Sequence, residues 1–342
     1  MPHKAINPRW QLFRPSPWAR PFSRRCNTLL TFCRIDSPCA CAYHTHMRTI
    51  LTLCFLFVFG IVAQAAPAKI ASLHPLLSEM ATLVGGDKVK VVNLFPKNGD
   101  LHSFSPTSAE VSSAVGAKLV LACGKGIEPY LGDLKQSLSE KTRILELGAD
   151  IPDVMVPDGS HPDPHWWNSP SNMKRASRTL MLALIEIDPA NKASYESNQK
   201  KYADNMDNLL RMGKIIMRRI PQNQRVLVTA HAAMCHFCRD FNFTPIPVHG
   251  IAKESEGDTA SLAQLITTLR ENQVKCIFTE VNASPKALDN IARELGISSR
   301  PLVMDGIYPS MESYDKIFLF NTGVIASGLA PAKAKKDEKA PH

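Results

Sequence analysis

The stretch DPANKASYESNQKKYADNMDNLLRMGKIIMRRIP, residues 188–221, decides how the rest of the chain is read. Between Pro189 and Pro221 there is no proline, and Gly213 is the one glycine. Tyr195, Tyr202, Met206, Leu209, Leu210, Met212, Ile216 and Ile220 recur at mixed three- and four-residue steps, the spacing of one apolar helix face. The pattern predicts a single helix over 189–220, about 30 residues and about 45 Å long at 1.5 Å per residue. Asp188 is placed to cap it and Pro189 to occupy its first position. That is longer than one small domain needs, so the helix is expected to bridge two.

Working outward, both flanks alternate short β-branched runs with helical patterns. Upstream, 69–74, 89–95, 118–123 and 143–147 read as strands, with helices at 75–84, 106–115 and 127–138. A further helix opens at Ser169-Pro170-Ser171. Downstream, strands at 225–230, 245–248, 276–281 and 301–304 alternate with helices at 232–241, 261–271 and 284–295. The region 310–328 reads as mostly helical. Asp258 or Thr259, and then Ser284-Pro285, are expected to cap two of these late helices. Several strand runs are nearly all apolar, as in parallel sheets covered on both faces. The expected class is α/β, with a doubly wound unit on each side of the long helix.

The net charge of +9 is unevenly spread. Residues 1–66 carry eight Lys/Arg against Asp36 alone, leaving 32 basic and 30 acidic residues elsewhere. A nucleic-acid partner therefore loses its electrostatic support. Met47-Arg48, the apolar run 49–62 and Ala63-Gln64-Ala65 have the layout of a cleaved secretory signal peptide, too short for a comfortable span. Cys54 lies within the run and not at its end, which does not fit lipoprotein processing. Residues 1–46, rich in Arg, Pro, Trp and Cys, are read as a misassigned upstream extension. Residues 331–342, rich in Lys, Ala and Pro, are read as a disordered tail. The expected division is 67–188 for a first lobe, 189–220 for the bridge and 221–330 for a second lobe. Four cysteines follow the leader: Cys123, Cys235, Cys238 and Cys276. An oxidising compartment permits pairing, but spacing does not assign it.

Three histidines stand in short polar or Pro-bearing segments beside apolar runs: His102, His165 and His231. Asp305 closes the last strand-like run, with Glu280 a competing carboxylate at the end of another. Imidazole nitrogens plus one carboxylate oxygen suit a borderline cation such as zinc. In open parallel sheets, ligands bind beyond the carboxyl ends of strands, so these residues can meet at a cleft between two lobes.

The segments holding them resemble a known family. Gly99-Asp100-Leu101-His102-Ser103-Phe104-Ser105-Pro106 resembles the D-P-H-x-Y-x-P-[ST] motif of zinc/manganese substrate-binding proteins of bacterial ABC transporters. Asp163-Pro164-His165-Trp166-Trp167-Asn168-Ser169-Pro170 is similar to their D-P-H-x-W-x-[DS]-P motif. His231-Ala232-Ala233-Met234-Cys235-His236-Phe237 is similar to their H-D-A-[FW]-x-Y-F segment, and Gly124-Lys125-Gly126-Ile127-Glu128 to their G-x-G-x-E turn. The likeness runs from about Ala68 to Leu329. It departs where Leu101 replaces Pro, Ala232 replaces Asp and His236 replaces Tyr, and where the His/Asp-rich loop shrinks to 158–163.

The resemblance implies two α/β lobes linked by one long rigid helix, a metal ion in the cleft, and His102, His165, His231 and Asp305 as its ligands. It also implies a periplasmic, monomeric receptor that is not an enzyme and hands zinc to an ABC permease. Manganese is the alternative cargo, although carriers of that metal often place Glu at the third position, where this chain has His231. Zinc affinity is expected to fall as pH drops through about 6.5, where imidazoles protonate. Two other classes are weighed against this reading. A zinc hydrolase would need an open coordination position and a base, and the chain has no H-E-x-x-H helix. A siderophore or corrinoid receptor would need an aromatic and Arg-lined cleft, for which only Trp166 and Trp167 speak.

Overall fold

The computed structural model describes residues 66–96, 100–248, 259–281, 286–306 and 311–331. The upstream extension, the signal peptide up to residue 65, the tail from 332, Gly99, Asp258 and Ser284-Pro285 lie outside the described residues. The first lobe runs β1 (Ala68–Ser72), α1 (Pro75–Gly85), β2 (Val89–Asn93), α2 (Ser108–Ser113), β3 (Leu119–Ala122), α3 (Leu131–Ser137) and β4 (Arg143–Glu146). Its four strands are all parallel, in the order β2-β1-β3-β4. α4 (Pro170–Ile187) and α5 (Lys192–Met217) follow as a helical hairpin. The second lobe comprises β5 (Val226–Thr229), α6 (Cys235–Phe241), β6 (Thr244–Pro247), α7 (Thr259–Glu271), β7 (Cys276–Glu280), α8 (Lys286–Leu295), β8 (Ser298–Leu302) and α9 (Tyr314–Leu329). Its sheet, β6-β5-β7-β8, is again all parallel and repeats the first lobe's strand order.

The long helix is present as 26 residues preceded by a 3₁₀ turn at Pro189–Asn191. Asp188 does not cap it in the expected way. Its Oδ2 accepts from Asn191 Nδ2 and from the Tyr195 hydroxyl, both at 2.7 Å, and so braces the turn through side chains. Gly213 reads in sequence as a weak point, yet it is a contact point. A Cβ there would sit 2.8 Å from the ring ends of Phe241 and Phe318, so glycine lets α5 approach the second lobe. On the other side, Asn198 Nδ2 donates to Val84 O at the end of α1 (3.2 Å). Asn205 donates to both oxygens of Asp315 on α9, at 2.9 and 3.0 Å. Arg225 closes the helix by donating to the carbonyls of Met217, Ile220 and Phe241. One buried apolar cluster takes side chains from both sheets and from α1, α4, α5 and α9, including Ile70, Leu121, Leu184, Met206, Phe278 and Phe318.

Other differences have local causes. The expected helix 106–115 is only six residues long, because Thr107 forms a capping box with Glu110 and Gly116 adopts φ +80°. The expected helix 127–138 starts four residues late, after a turn in which Gly124, Lys125 and Gly126 all have positive φ. Residues 232–234 form a turn, so α6 starts at Cys235. The last strand is placed at Ser298–Leu302 and not at 301–304, with Pro301 inside it. β8 is an edge strand, as is β6 with Pro245 and Pro247, and an edge tolerates residues that cannot donate to a ladder. Ser169 and Pro170 start α4 as expected, with Ser169 Oγ accepting the Asn172 amide at 3.2 Å. Among the described residues, no helix is long and apolar enough to cross a membrane.

Candidate metal centre

Each of the four expected residues is presented by a loop leaving the carboxyl end of a strand or by the connection into α4. His102 sits in the loop after β2, where Asp100 Oδ1 accepts its amide at 3.2 Å and Asp100 Oδ2 accepts the Ser103 hydroxyl at 3.2 Å. Leu101, which replaces a proline of the motif, is buried in the core and anchors that loop by packing. His165 precedes the 3₁₀ turn Trp166–Asn168. His231 lies two residues beyond β5, its carbonyl accepting from Thr229 Oγ1 at 2.8 Å and from the Ala233 amide at 2.9 Å. Asp305 lies three residues beyond β8 and not directly after it.

These residues converge. One donor atom from each of His102, His165, His231 and Asp305 lies within 4.8 Å of all the others. His102 Nε2 and His165 Nε2 are 3.2 Å apart, and they stand 3.8 and 3.9 Å from the two Asp305 oxygens. The three imidazole centroids are 5.0–5.2 Å apart. Ligands about 2.0–2.1 Å from a tetrahedral zinc are about 3.3 Å from each other, so modest side-chain rotation brings all four onto one ion. His165, His231 and Asp305 are buried, whereas the His102 side chain keeps 15% of its surface and is the group open to solvent.

What turns the rings is as informative as what they surround. His165 Nδ1 bonds Asp163 Oδ1 at 2.7 Å, and His231 Nδ1 bonds Glu280 Oε1 at 2.5 Å. With both Nδ1 positions engaged by carboxylates, the protons belong there and the Nε2 lone pairs are left for the cluster. Glu280, a rival of Asp305 in the sequence reading, stands behind His231 and outside the four-residue group. Sequence held one clue to this role: Glu280 ends a strand-like run, and β7 turns out to pair with β5, which delivers His231. Asp163 belongs to the quoted motif, but its task became visible only in the fold. Its Oδ1 also accepts the His165 amide at 2.8 Å, and its Oδ2 accepts the Cys235 amide at 2.9 Å. Burial works to raise its pKa, but the hydrogen bond and charge of His165 win, and the carboxyl stays below its ordinary range.

His236, standing where the family motif has tyrosine, is buried. Asn172 Nδ2 contacts its Nδ1 at 3.0 Å, and its Nε2 donates to Asp163 O at 3.0 Å. Burial pushes its pKa down against the pull of Asp163. Of the neighbouring aromatics, Trp166 Nε1 donates to Cys123 O within the first lobe at 3.0 Å, and Trp167 Nε1 joins the lobes by donating to Met304 O at 2.8 Å. His74, two residues beyond β1, is fully buried against Trp167, and burial takes its pKa down to about 3, partly opposed by Asp305. His161 is apart from the cluster, on the loop closed by the Met155–Pro162 bridge, with its Nδ1 against Pro162 O. Cys123, Cys235, Cys238 and Cys276 are buried free thiols, and burial raises the pKa of each.

Comparison with known proteins finds metal-binding relatives. The high-affinity zinc uptake protein ZnuA of Bacillus subtilis is 24% identical over 291 residues, covering 78% of this chain and 90% of the relative. The iron-binding protein YfeA of Yersinia pestis is 25% identical over 272 residues, covering 77% and 86%. The manganese ABC transporter substrate-binding lipoprotein PsaA of Streptococcus pneumoniae is 23% identical over 308 residues, covering 83% and 100%. Among solved structures, a zinc-bound ZnuA deletion mutant superposes with a TM-score of 0.71 at 26% identity, covering 78% of this chain and 99% of that one. The family model described as zinc-uptake complex component A, periplasmic, matches residues 70–328, and the chain belongs to that family of metal-binding substrate-binding proteins of ABC transporters.

Proposed function

We propose that this chain is the periplasmic zinc receptor of an ABC transporter, exported through the signal at 47–66. It takes up one ion at His102, His165, His231 and Asp305 and passes it to the permease as a monomer. The observation that supports this most is the pair of carboxylates behind His165 and His231, which turn two Nε2 lone pairs toward the same point. Glu280 is then an orienting group and Asp305 the oxygen ligand. Three imidazoles and one carboxylate make a nitrogen-rich set that favours four-coordinate zinc, whereas manganese prefers more oxygen. Relatives named for zinc, manganese and iron make the donor set, and not the family, the basis for choosing the metal.

The lobes, 67–188 and 221–330, are held by a bridge at 189–220 that packs on both, so capture proceeds by loop adjustment and not by wide closure. A hydrolase would need an open position for water, and a ligating Asp305 fills the fourth place.

Zinc outcompetes manganese at almost any N/O site, so affinity alone does not discriminate between the two. The informative measurements are the metal content of protein purified from the exported fraction and the coordination number by X-ray absorption. One zinc per chain with about four N/O neighbours is expected. It should be lost in His102→Ala, His165→Ala and His231→Ala with the fold retained. Native protein carrying manganese in a shell of five or six would overturn the zinc assignment. Ester or peptide turnover lost in His165→Ala would favour the hydrolase.

A further inference from the structure

His74 lies two residues beyond β1 and caps α1, its Nδ1 accepting the Leu76 amide at 3.1 Å. A ring whose Nδ1 accepts carries its proton on Nε2 when neutral. That Nε2 is buried and meets no acceptor among the described residues. A buried donor without a partner is unfavourable, and asparagine or serine would serve as the helix cap equally well. The ring is walled by Trp167 at 4.9 Å and Phe95 at 6.3 Å, both centroid distances, and neither offers an oxygen.

The acidic group whose charge reaches His74 is Asp305. Backbone placement agrees: Pro75, the next residue, has its Cγ 3.4 Å from where a Cβ on Gly306 would stand. Trp167, stacked beside His74, also holds Met304 O. The end of β1 and the Met304–Gly306 segment are therefore neighbours across the cleft.

We propose that His74 is a positioning residue for the oxygen ligand. When the ion draws the cluster together, His74 Nε2–H donates to the Asp305 oxygen that is not on the metal. One oxygen is thereby held off the ion, Asp305 binds through the other alone, and the coordination number stays at four. Without that donor both oxygens can reach the ion, which suits larger, oxygen-preferring cations. His74 is thus a specificity determinant outside the ligand set. This inference rests on the reading of Asp305 as a ligand.

Two substitutions separate the cap from the donor. His74→Asn keeps an oxygen that caps Leu76 and removes the distant N–H; His74→Gln keeps an N–H at longer reach and gives up a good cap. In His74→Asn the metal-free Tm should stay near wild type, zinc affinity by chelator competition should fall about 10–100-fold, and the zinc shell should grow beyond four. In His74→Gln the metal-free Tm should drop while zinc affinity stays near wild type. In an Asp305→Asn background, His74→Asn should have no further effect. Wild-type zinc affinity and shell in His74→Asn, or effects of His74→Asn and Asp305→Asn that simply add, overturn the inference and leave the site intact. A wild-type chain that binds no zinc overturns the site and this inference with it.

Discussion

The two lobes use the same strand order but secure their inner histidines differently. In the first lobe, His165 is oriented by a carboxylate two residues upstream, and that carboxylate is itself held by an amide of the second lobe, Cys235. In the second lobe, His231 is oriented from within, by Glu280 on the neighbouring strand β7. One ring is steered by a carboxylate that bonds across the lobes; the other is steered by a carboxylate of its own sheet. The orientation of His165 therefore reports on lobe placement through Asp163.

The largest expected effect removes the contrast altogether: His165→Ala and His231→Ala should each abolish stoichiometric zinc binding, measured by competitive titration. Next, Asp163→Asn and Glu280→Gln should each lower zinc affinity by about 10–100-fold, but only Asp163→Asn should also loosen the lobes. Asp163→Asn disturbs bonds to His165 and Cys235 together. It should lower the metal-free Tm by the equivalent of about 1–3 kcal/mol, measured by thermal unfolding. Because the folded-state pKa of Asp163 is depressed, its stabilisation is complete above the ordinary carboxylate range and disappears as pH falls through the lowered value. Equal stability losses in the two variants would erase the distinction between the lobes.

Gly213→Ala tests the bridge. Alanine gains about 1 kcal/mol of helix propensity, while forcing apart Phe241 and Phe318 costs about 1–3 kcal/mol, so the net change in a denaturant titration should be destabilising. A pH-dependent effect concerns Glu79 on α1, which accepts the Tyr314 amide of α9 at 2.9 Å. Burial, with Asp315 nearby, raises its pKa to about 7 against the opposing Tyr314 bond. A raised carboxyl pKa withdraws stability as pH climbs from about 4.5 to about 7. Glu79→Gln should therefore raise Tm at pH 8 and leave it unchanged near pH 4.

Much of this was legible in the chain. The apolar period of 189–220 announced the bridge, and the Pro-flanked histidine segments announced the cluster, because both signals are local. What stayed hidden depends on register and distance. Asp305 and Glu280 both end strand-like runs, and only strand pairing sends one carboxylate into the cluster and the other behind His231. Pro301 read as the start of a strand because sequence does not say which strands are edges. His74 carries no signal in the sequence, since its cap and its buried Nε2 exist only once β1 passes into α1.

The loop 155–162 is exposed at its tip and ends one residue before Asp163. Asp163 thus sits one residue from a surface segment while holding His165 and the Cys235 amide, so any displacement of 155–162 bears on the ring that it steers.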